Sequence, residues 1–161
     1  MALFPTRILV ALERSDTSRF ALDTACELAR ATGSELHLVH VAVTNSTIRG
    51  RPLTSAQKQE STDSGHAVLD RGRAQARDQN VEVAATHLRG GDSVDVTLER
   101  VQQELDAGLL VIGAARSGSV ASRLIGPSSG GSGVVRRSTS SILVVRPPHQ
   151  SGPDHETVDR R

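Results

Sequence analysis

The chain has no tryptophan, no tyrosine and only two phenylalanines, Phe4 and Phe20, among 161 residues. Its core must therefore be aliphatic, and recognition of single-stranded nucleic acid on stacked aromatic platforms is excluded. A single cysteine, Cys26, rules out an intramolecular disulfide framework and any cysteine-rich zinc site. It falls beside the apolar face of the first helix, where a thiol is buried and inert rather than nucleophilic. No apolar run is long enough to span a bilayer. Met1-Ala2-Leu3-Phe4-Pro5 has no basic start and no extended apolar stretch, so no secretory signal is expected and the cytoplasm is the expected location. Charge of one sign is also missing: 19 basic residues face 18 acidic ones, a net +1. That balance gives neither nucleic acid nor a membrane surface an electrostatic hold. Lys58 is the only lysine, a skew towards arginine read first as codon bias and second as a phosphate preference.

Hydrophobic residues make up 37% of the chain, enough for one domain with a sizeable core. Ile8-Leu9-Val10-Ala11-Leu12 is apolar on both faces, which suits a strand buried inside a parallel sheet. Ser15 is placed to cap a helix with Phe20, Ala21, Ala25, Leu28 and Ala29 on one face, and Gly33 is its stop. A second strand is predicted around Leu36–Val41, then a polar loop from Thr44 to about Ser55. Residues 56–80 read as a weakly amphipathic helix with Ala67, Val68, Leu69, Ala74 and Ala76 as its apolar positions, interrupted by Gly65 and Gly72. Val81–Leu88 reads as a third strand. Gly90-Gly91-Asp92-Ser93 reads as a turn that caps a helix with Val94, Leu98, Val101 and Leu105 at helical spacing. Leu109–Ile112 is a fourth strand, Val134–Thr139 a short helix and Ile142–Val145 a fifth strand, ended by Pro147-Pro148. Residues 148–161 are a polar tail, expected to be disordered.

Strand and helix alternate throughout, which implies right-handed crossovers and an α/β fold with a doubly wound parallel sheet. Ligands bind such sheets beyond the carboxyl ends of the strands, where strand order reverses. Glu13–Asp16 and Gly113–Gly133 are therefore the loops to read for function. The second is rich in Gly and Ser and precedes a helix, so its backbone N–H groups suit a phosphate, with Arg116 and Arg123 adding charge. A plain linker has the same composition. There is no Walker A loop and no Gly-x-Gly-x-x-Gly after the first strand. His37 and His40 are three apart on a strand and face opposite ways, and the other histidines lack metal-ligand spacing, so no metal site built from protein ligands alone is expected.

Taken in order, these segments resemble the universal stress protein family. The likeness runs over about residues 6–146. It rests on Ile8–Ser15 before an Ala-rich helix, Leu36–Val41, Gly91-Asp92 opening a helix, Leu109–Gly113, Ser122-Arg123-Leu124-Ile125-Gly126 and Ile142–Val145. It implies one domain over 1–147, a Rossmann-like five-stranded sheet of order 3-2-1-4-5, and a cytoplasmic role in stress adaptation. It further implies a homodimer through the last strand, at Leu143, Val144 and Val145. Some members bind ATP through Gly, two residues, Gly, nine residues, Gly, then Ser or Thr. Here Gly113 and Gly126 match the first and third glycines, Arg116 stands at the second (or Ala115, if Arg116-Ser117-Gly118 is aligned with the family's common Arg-Ser-Gly), and Pro127 replaces the hydroxyl residue. Proline offers a phosphate neither a hydroxyl nor an N–H. Ser128 and Ser129 are the substitutes in a longer loop, and Arg123 adds charge. Glu13 stands where the family has its adenosine-contacting Asp, followed by Arg14 in place of Gly. Val41 matches the position whose backbone meets adenine. The resemblance thus implies a site of Glu13, Val41, Gly113, Arg116, Arg123, Gly126, Ser128 and Ser129. Its ligand would be ATP or another adenine nucleotide, with Mg²⁺ where phosphates are bound. The module is expected to be a regulatory binder without catalytic residues. The alternatives are a nucleotide-independent interaction dimer and a slow Mg-dependent ATPase.

Overall fold

The structure, a computed structural model, describes residues 4–43, 47–48, 51–91, 93–114 and 140–147. Its elements are β1 (Arg7–Ala11), α1 (Asp16–Thr32), β2 (Glu35–Val43), β3 (Thr47–Ile48), β4 (Arg51–Pro52), α2 (Ser55–Asp78), β5 (Val83–Gly91), α3 (Val94–Glu104), β6 (Leu109–Gly113) and β7 (Ser141–Val145). Five strands form one sheet in the order β5-β2-β1-β6-β7, every neighbouring pair parallel. Counted along the chain without the small hairpin, that is 3-2-1-4-5, as expected. Order reverses at β1, which pairs with β2 on one side and β6 on the other.

The two-faced strand β1 explains the layers. Ile8, Val10 and Leu12 turn to one side and pack with α1 and α2. Leu9 and Ala11 turn to the other and pack with Val94, Leu98 and Val101 of α3. This is the period-two alternation of a strand covered by helices on both faces. Each fully buried Leu or Ile contributes about 1.5–3 kcal/mol through its removal from water, and eight such large side chains are less than 2% exposed.

Helix α1 starts and stops where its sequence says. The Ser15 hydroxyl accepts from the Ser18 N–H, and Gly33 takes a left-handed φ of 69° at the stop, its N–H donating to Ala29. Phe20 departs from the expected face: it is 40% exposed, and Leu22 is buried instead. The buried stripe runs Ser18, Leu22, Ala25, Ala29, and a residue two places from Leu22 lies roughly opposite it on a helix of 3.6 residues per turn. Helix α2 begins with a capping box, in which Thr54 and Gln57 each accept from the other's backbone N–H. Its glycines are its contact with the sheet. A Cβ on Gly65 would lie 2.5 Å from Cδ1 of Leu88 and 2.8 Å from Cδ2 of His40, and one on Gly72 would collide with Cδ1 of Leu12. Ala67, expected in the apolar stripe, is exposed, because the stripe passes through Gly65, Val68, Leu69, Gly72 and Ala76.

Three further expectations shift. Strand β5 starts at Val83 rather than Val81, because the Val81 N–H is used to close α2 by donating to the Ala76 carbonyl at 2.9 Å. It runs on to Gly91, since Ala42 and Val43 still pair with Gly90 and Gly91. Ser93 occupies the cap position of α3, but its hydroxyl donates to the Asp95 carboxylate and makes no cap to the helix backbone. In the stretch read as a loop, Thr47 and Ile48 pair antiparallel with Pro52 and Arg51. The expected helix at 134–139 and the tail from 148 lie outside the described residues.

Candidate functional site at the carboxyl edge of the sheet

The register fixes what meets at the switch point. Ala11 pairs with Val39 of β2 and with Ile112 of β6. Glu13, two residues past Ala11, is therefore level with Val41, two past Val39, and adjacent to the level of Gly113, one past Ile112. These three expected site residues sit at or near the carboxyl ends of three adjacent strands: Glu13 two residues beyond β1, Val41 two residues before the end of β2 and Gly113 the last residue of β6. Arg116, Arg123, Gly126, Ser128 and Ser129, the phosphate half of the expected site, lie outside the described residues.

The exit from β1 is held on every side. The Leu12 N–H donates to the Val39 carbonyl at 2.8 Å, and the Leu12 carbonyl lies 2.8 Å from Nδ1 of His40. A carbonyl only accepts, so His40 carries its proton on Nδ1 in this contact. The Glu13 N–H donates to Oγ of Ser18 at 2.9 Å, and the Ser15 hydroxyl donates to Oε1 of Glu13 at 3.0 Å. Having one proton, Ser15 then accepts the Thr17 hydroxyl at 3.0 Å and the Ser18 N–H at 3.2 Å with its two lone pairs. The carboxylate is thereby tied to the first turn of α1. Arg14, which follows it, is exposed.

Gly113 has a packing reason to be glycine. A Cβ there would lie 2.5 Å from the Thr17 carbonyl oxygen and 2.8 Å from the Ser18 nitrogen, both backbone atoms of α1. The end of β6 thus presses directly on the helix turn that holds Glu13. Val41 is half-buried and packs on the α3 side of the sheet.

A groove of about 940 Å³ opens beside Glu13, between α1 and α2, with Leu12, Leu22 and Val68 in it and Arg14, Arg71 and Gln75 among its polar lining. It includes neither Val41 nor Gly113. Sequence reading missed it because its walls come from helices some fifty residues apart, joined where Gln75 donates to the Arg19 carbonyl at 3.0 Å and to the Asp23 carboxylate at 2.7 Å. Its one local signal was Gly72, where α2 comes close to the sheet.

Elsewhere, Cys26 is fully buried, and burial, helped by Asp23 and opposed by Arg30, pushes its thiol up to about 11. His37 and His40 do face opposite sides, His40 towards Gly65 of α2 and His37 towards the α3 side, where it meets His87. Among the described residues no cluster of three or more His, Cys, Asp or Glu side chains is arranged to hold a metal ion. No helix among them is long and apolar enough to cross a membrane.

A doubly wound parallel sheet of this order, with its loops gathered at a reversal of strand order, defines a Rossmann-like α/β domain. Comparison with known proteins narrows the class. Residues 5–146 match the Universal stress protein family, and the chain belongs to that family. It is 26% identical over 149 residues to universal stress protein YxiE of Bacillus subtilis (strain 168), an alignment covering 87% of this chain and 98% of that protein. A crystal structure of a universal stress protein family member from Burkholderia pseudomallei is 30% identical, covers 87% of this chain and 95% of its own, and superposes with a TM-score of 0.67. The universal stress protein of Archaeoglobus fulgidus, solved in complex with dAMP, is 23% identical, with a TM-score of 0.63 and coverage of 86% and 96%.

Proposed function

We propose that this chain is a regulatory module of stress adaptation that binds an adenine nucleotide at the carboxyl edge of its sheet, acts as a homodimer, and does not turn its ligand over. The observation that carries this reading is the register, which brings Glu13 level with Val41 and within one residue of the level of Gly113, beside the switch point of the sheet. The dAMP bound by the Archaeoglobus relative supports the ligand class. Glu13 presents its carboxylate to the nucleoside, and the backbone at Val41 meets the base. Gly113, Arg116 and Gly126 frame the phosphate loop, with Ser128, Ser129 and Arg123 answering phosphate oxygens and Mg²⁺ accompanying a triphosphate. A second reading, a nucleotide-independent interaction dimer, is favoured by two features. Arg116 and Pro127 break the glycine pattern, and the space a side chain would take at Gly113 is filled by α1 backbone.

Absence of Trp and Tyr makes the first test simple. A nucleotide that co-purifies would dominate the near-ultraviolet spectrum and can be identified by mass after denaturation. Calorimetric titration with dAMP and with Mg-ATP is expected to give one site per chain. Removing one charge-assisted contact is worth roughly 1.5–3 kcal/mol, so Glu13→Ala should weaken binding by about tenfold or more. No binding of either ligand at millimolar concentration would overturn the nucleotide reading and leave the interaction dimer. Mg-dependent hydrolysis above background that is lost in Glu13→Ala would instead establish the ATPase.

The dimer rests on β7, which among the described residues is the outermost strand on its side of the sheet. Ser141 N–H and the Val145 carbonyl both bond towards β6. By alternation, Ile142 and Val144 turn their backbone groups to the outer edge. Val144→Glu is expected to give monomer by sedimentation. Because Val144 also packs on the α3-side cluster, Ser141→Lys, at an exposed position of the same strand, serves as the milder variant. Folded dimers of both variants would refute this interface.

A further inference from the structure

His37 on β2 and His87 on β5 form a pair for which the reading above has no use. His37 is 7% exposed. Its Nδ1 lies 3.3 Å from Nε2 of His87, and its Nε2 lies 3.5 Å from Oε2 of Glu35. The ring planes are 20° apart and the centroids 5.5 Å apart. That separation is close to the N···N distance plus two ring radii, so the nearly parallel rings meet end to end rather than face to face. The two nitrogens point at one another. A metal ion held by both would need their lone pairs to converge on a third point at a near-tetrahedral angle. The arrangement is a hydrogen bond and not a metal cradle.

Its proton count is constrained. Glu35 is ion-paired with Arg7 at 3.0 Å, and a carboxylate only accepts, so His37 donates to it from Nε2. With both rings neutral, Nδ1 of His37 is bare and accepts Nε2–H of His87. One added proton keeps every bond: His37 becomes an imidazolium donating from both nitrogens, while His87 accepts on Nε2 and carries its own proton on Nδ1. A second added proton leaves N–H facing N–H across 3.3 Å, with two positive charges.

We propose that His37 and His87 form a one-proton site that locks the outer strand β5 onto β2, and that uptake of a second proton on acidification releases that strand. The position suits such a release. Strand β5 is outermost and pairs only with β2 among the described residues. The register also slips just before the pair: Leu36 faces Val83 while His37 faces Ala85, leaving Ala84 as an extra residue. A bulge of that kind interrupts the ladder and weakens it locally. The charged groups acting on the pair come from four strands and helices. Glu35 is on β2, Arg7 on β1 and Arg89 on β5, while Glu104 on α3 is ion-paired with Arg89 at 3.4 Å. Burial, then His37, then Arg89 hold the His87 imidazole below its ordinary range, and Glu104 opposes them. A base whose folded pKa is depressed favours the closed strand above its free value, and that advantage is lost as pH falls below about 6.5.

Amide hydrogen exchange of residues 85–89 in the 161-residue chain tests the lock. Opening frees a ring whose ordinary value is about 6.5, so the opening equilibrium should rise about tenfold between about pH 7.5 and about pH 5.5, after correction for intrinsic exchange. In His87→Gln the side-chain amide still donates to His37 but does not titrate, and the same interval should change opening by less than about threefold. Ring-nitrogen NMR of the unaltered protein reads the pair without any substitution: one ring charges while the other stays neutral until the strand opens. Exchange that does not respond to pH, a variant that responds as the parent does, or two rings titrating independently would each overturn the proposal.

Discussion

Replacing Gly113 by alanine tests the contact between β6 and α1 more directly than any core truncation. The added carbon would stand 2.5 Å from the Thr17 carbonyl oxygen, 2.6 Å from its carbon and 2.8 Å from the Ser18 nitrogen. These are backbone atoms, so no side-chain rotation relieves the clash. The helix turn that must move is also the one pinned by Ser18 to the Glu13 N–H and by the Ser15 cap. Overpacking costs about 1–3 kcal/mol, and each kcal/mol lowers Tm by about 2–4 °C in a domain of this size. The expected drop is therefore about 2–12 °C. Gly72→Ala is the control. The three atoms nearest its new carbon are Leu methyls, those of Leu12, Leu38 at 3.2 Å and Leu22 at 3.6 Å. Those ends can turn aside, and alanine in a helix interior recovers about 1 kcal/mol over glycine. That variant should stay within about 3 °C of the parent. Neither glycine has a positive φ, so the difference measures contact and not backbone strain. Thermal unfolding followed by far-ultraviolet circular dichroism reads both, since the chain has no Trp or Tyr to report by fluorescence. A Gly113→Ala protein as stable as the parent, or one harmed less than Gly72→Ala, would refute the reasoning.

Ser15→Ala removes a helix cap and the hydroxyl on the Glu13 carboxylate together; urea unfolding should show a loss of about 0.5–2 kcal/mol. Cys26, fully buried with its thiol pushed up to about 11, should react with an aromatic disulfide reagent only as fast as the protein opens, and rapid stoichiometric labelling at neutral pH would contradict its burial. Acid should destabilise the fold in two windows. The Arg7 hydrogen bond, then that of His37, holds the Glu35 carboxyl below its ordinary 4.5, so its contribution is present above that value and lost as pH falls further. The depressed His87 acts higher, its contribution being present above about 6.5 and lost below. Arg7→Gln should flatten only the lower window in a urea-midpoint profile, and an unchanged profile would show that this pairing does not govern it.

The five strands of the main sheet and the ends of α1 were legible in the sequence because their causes are local, whereas the β3–β4 hairpin lies in a stretch that reads as a loop. An all-apolar pentapeptide such as Ile8–Leu12 has no solvated face to offer, and Ser15 and Gly33 act within one turn of where they stand. Phe20 and Ala67 were assigned to buried stripes for being apolar, whereas the fold selects by angle around the helix. The two α2 glycines read as weaknesses because helix propensity is all that a sequence window contains. Their use, room for Leu88, His40 and Leu12, exists only once the sheet is assembled. The His37–His87 pair was illegible for the same reason, since its partners are fifty residues apart and a bulge sets their register.

That Glu13, Val41 and Gly113 lie close together along the sheet was legible because each stands at or near the carboxyl end of a strand, and parallel register turns strand ends into neighbours. The role of Gly113 was not. A glycine pattern beside a phosphate site invites a ligand explanation, yet here the missing Cβ makes way for the helix turn that orients Glu13. Packing by itself accounts for this glycine, and the pattern alone does not separate that cause from a binding role. Nucleotide affinity of Gly113→Ala, measured well below its Tm, separates them: a loss that runs through the displaced α1 turn and Glu13 should be matched by Ser15→Ala, which disturbs that turn from the helix side.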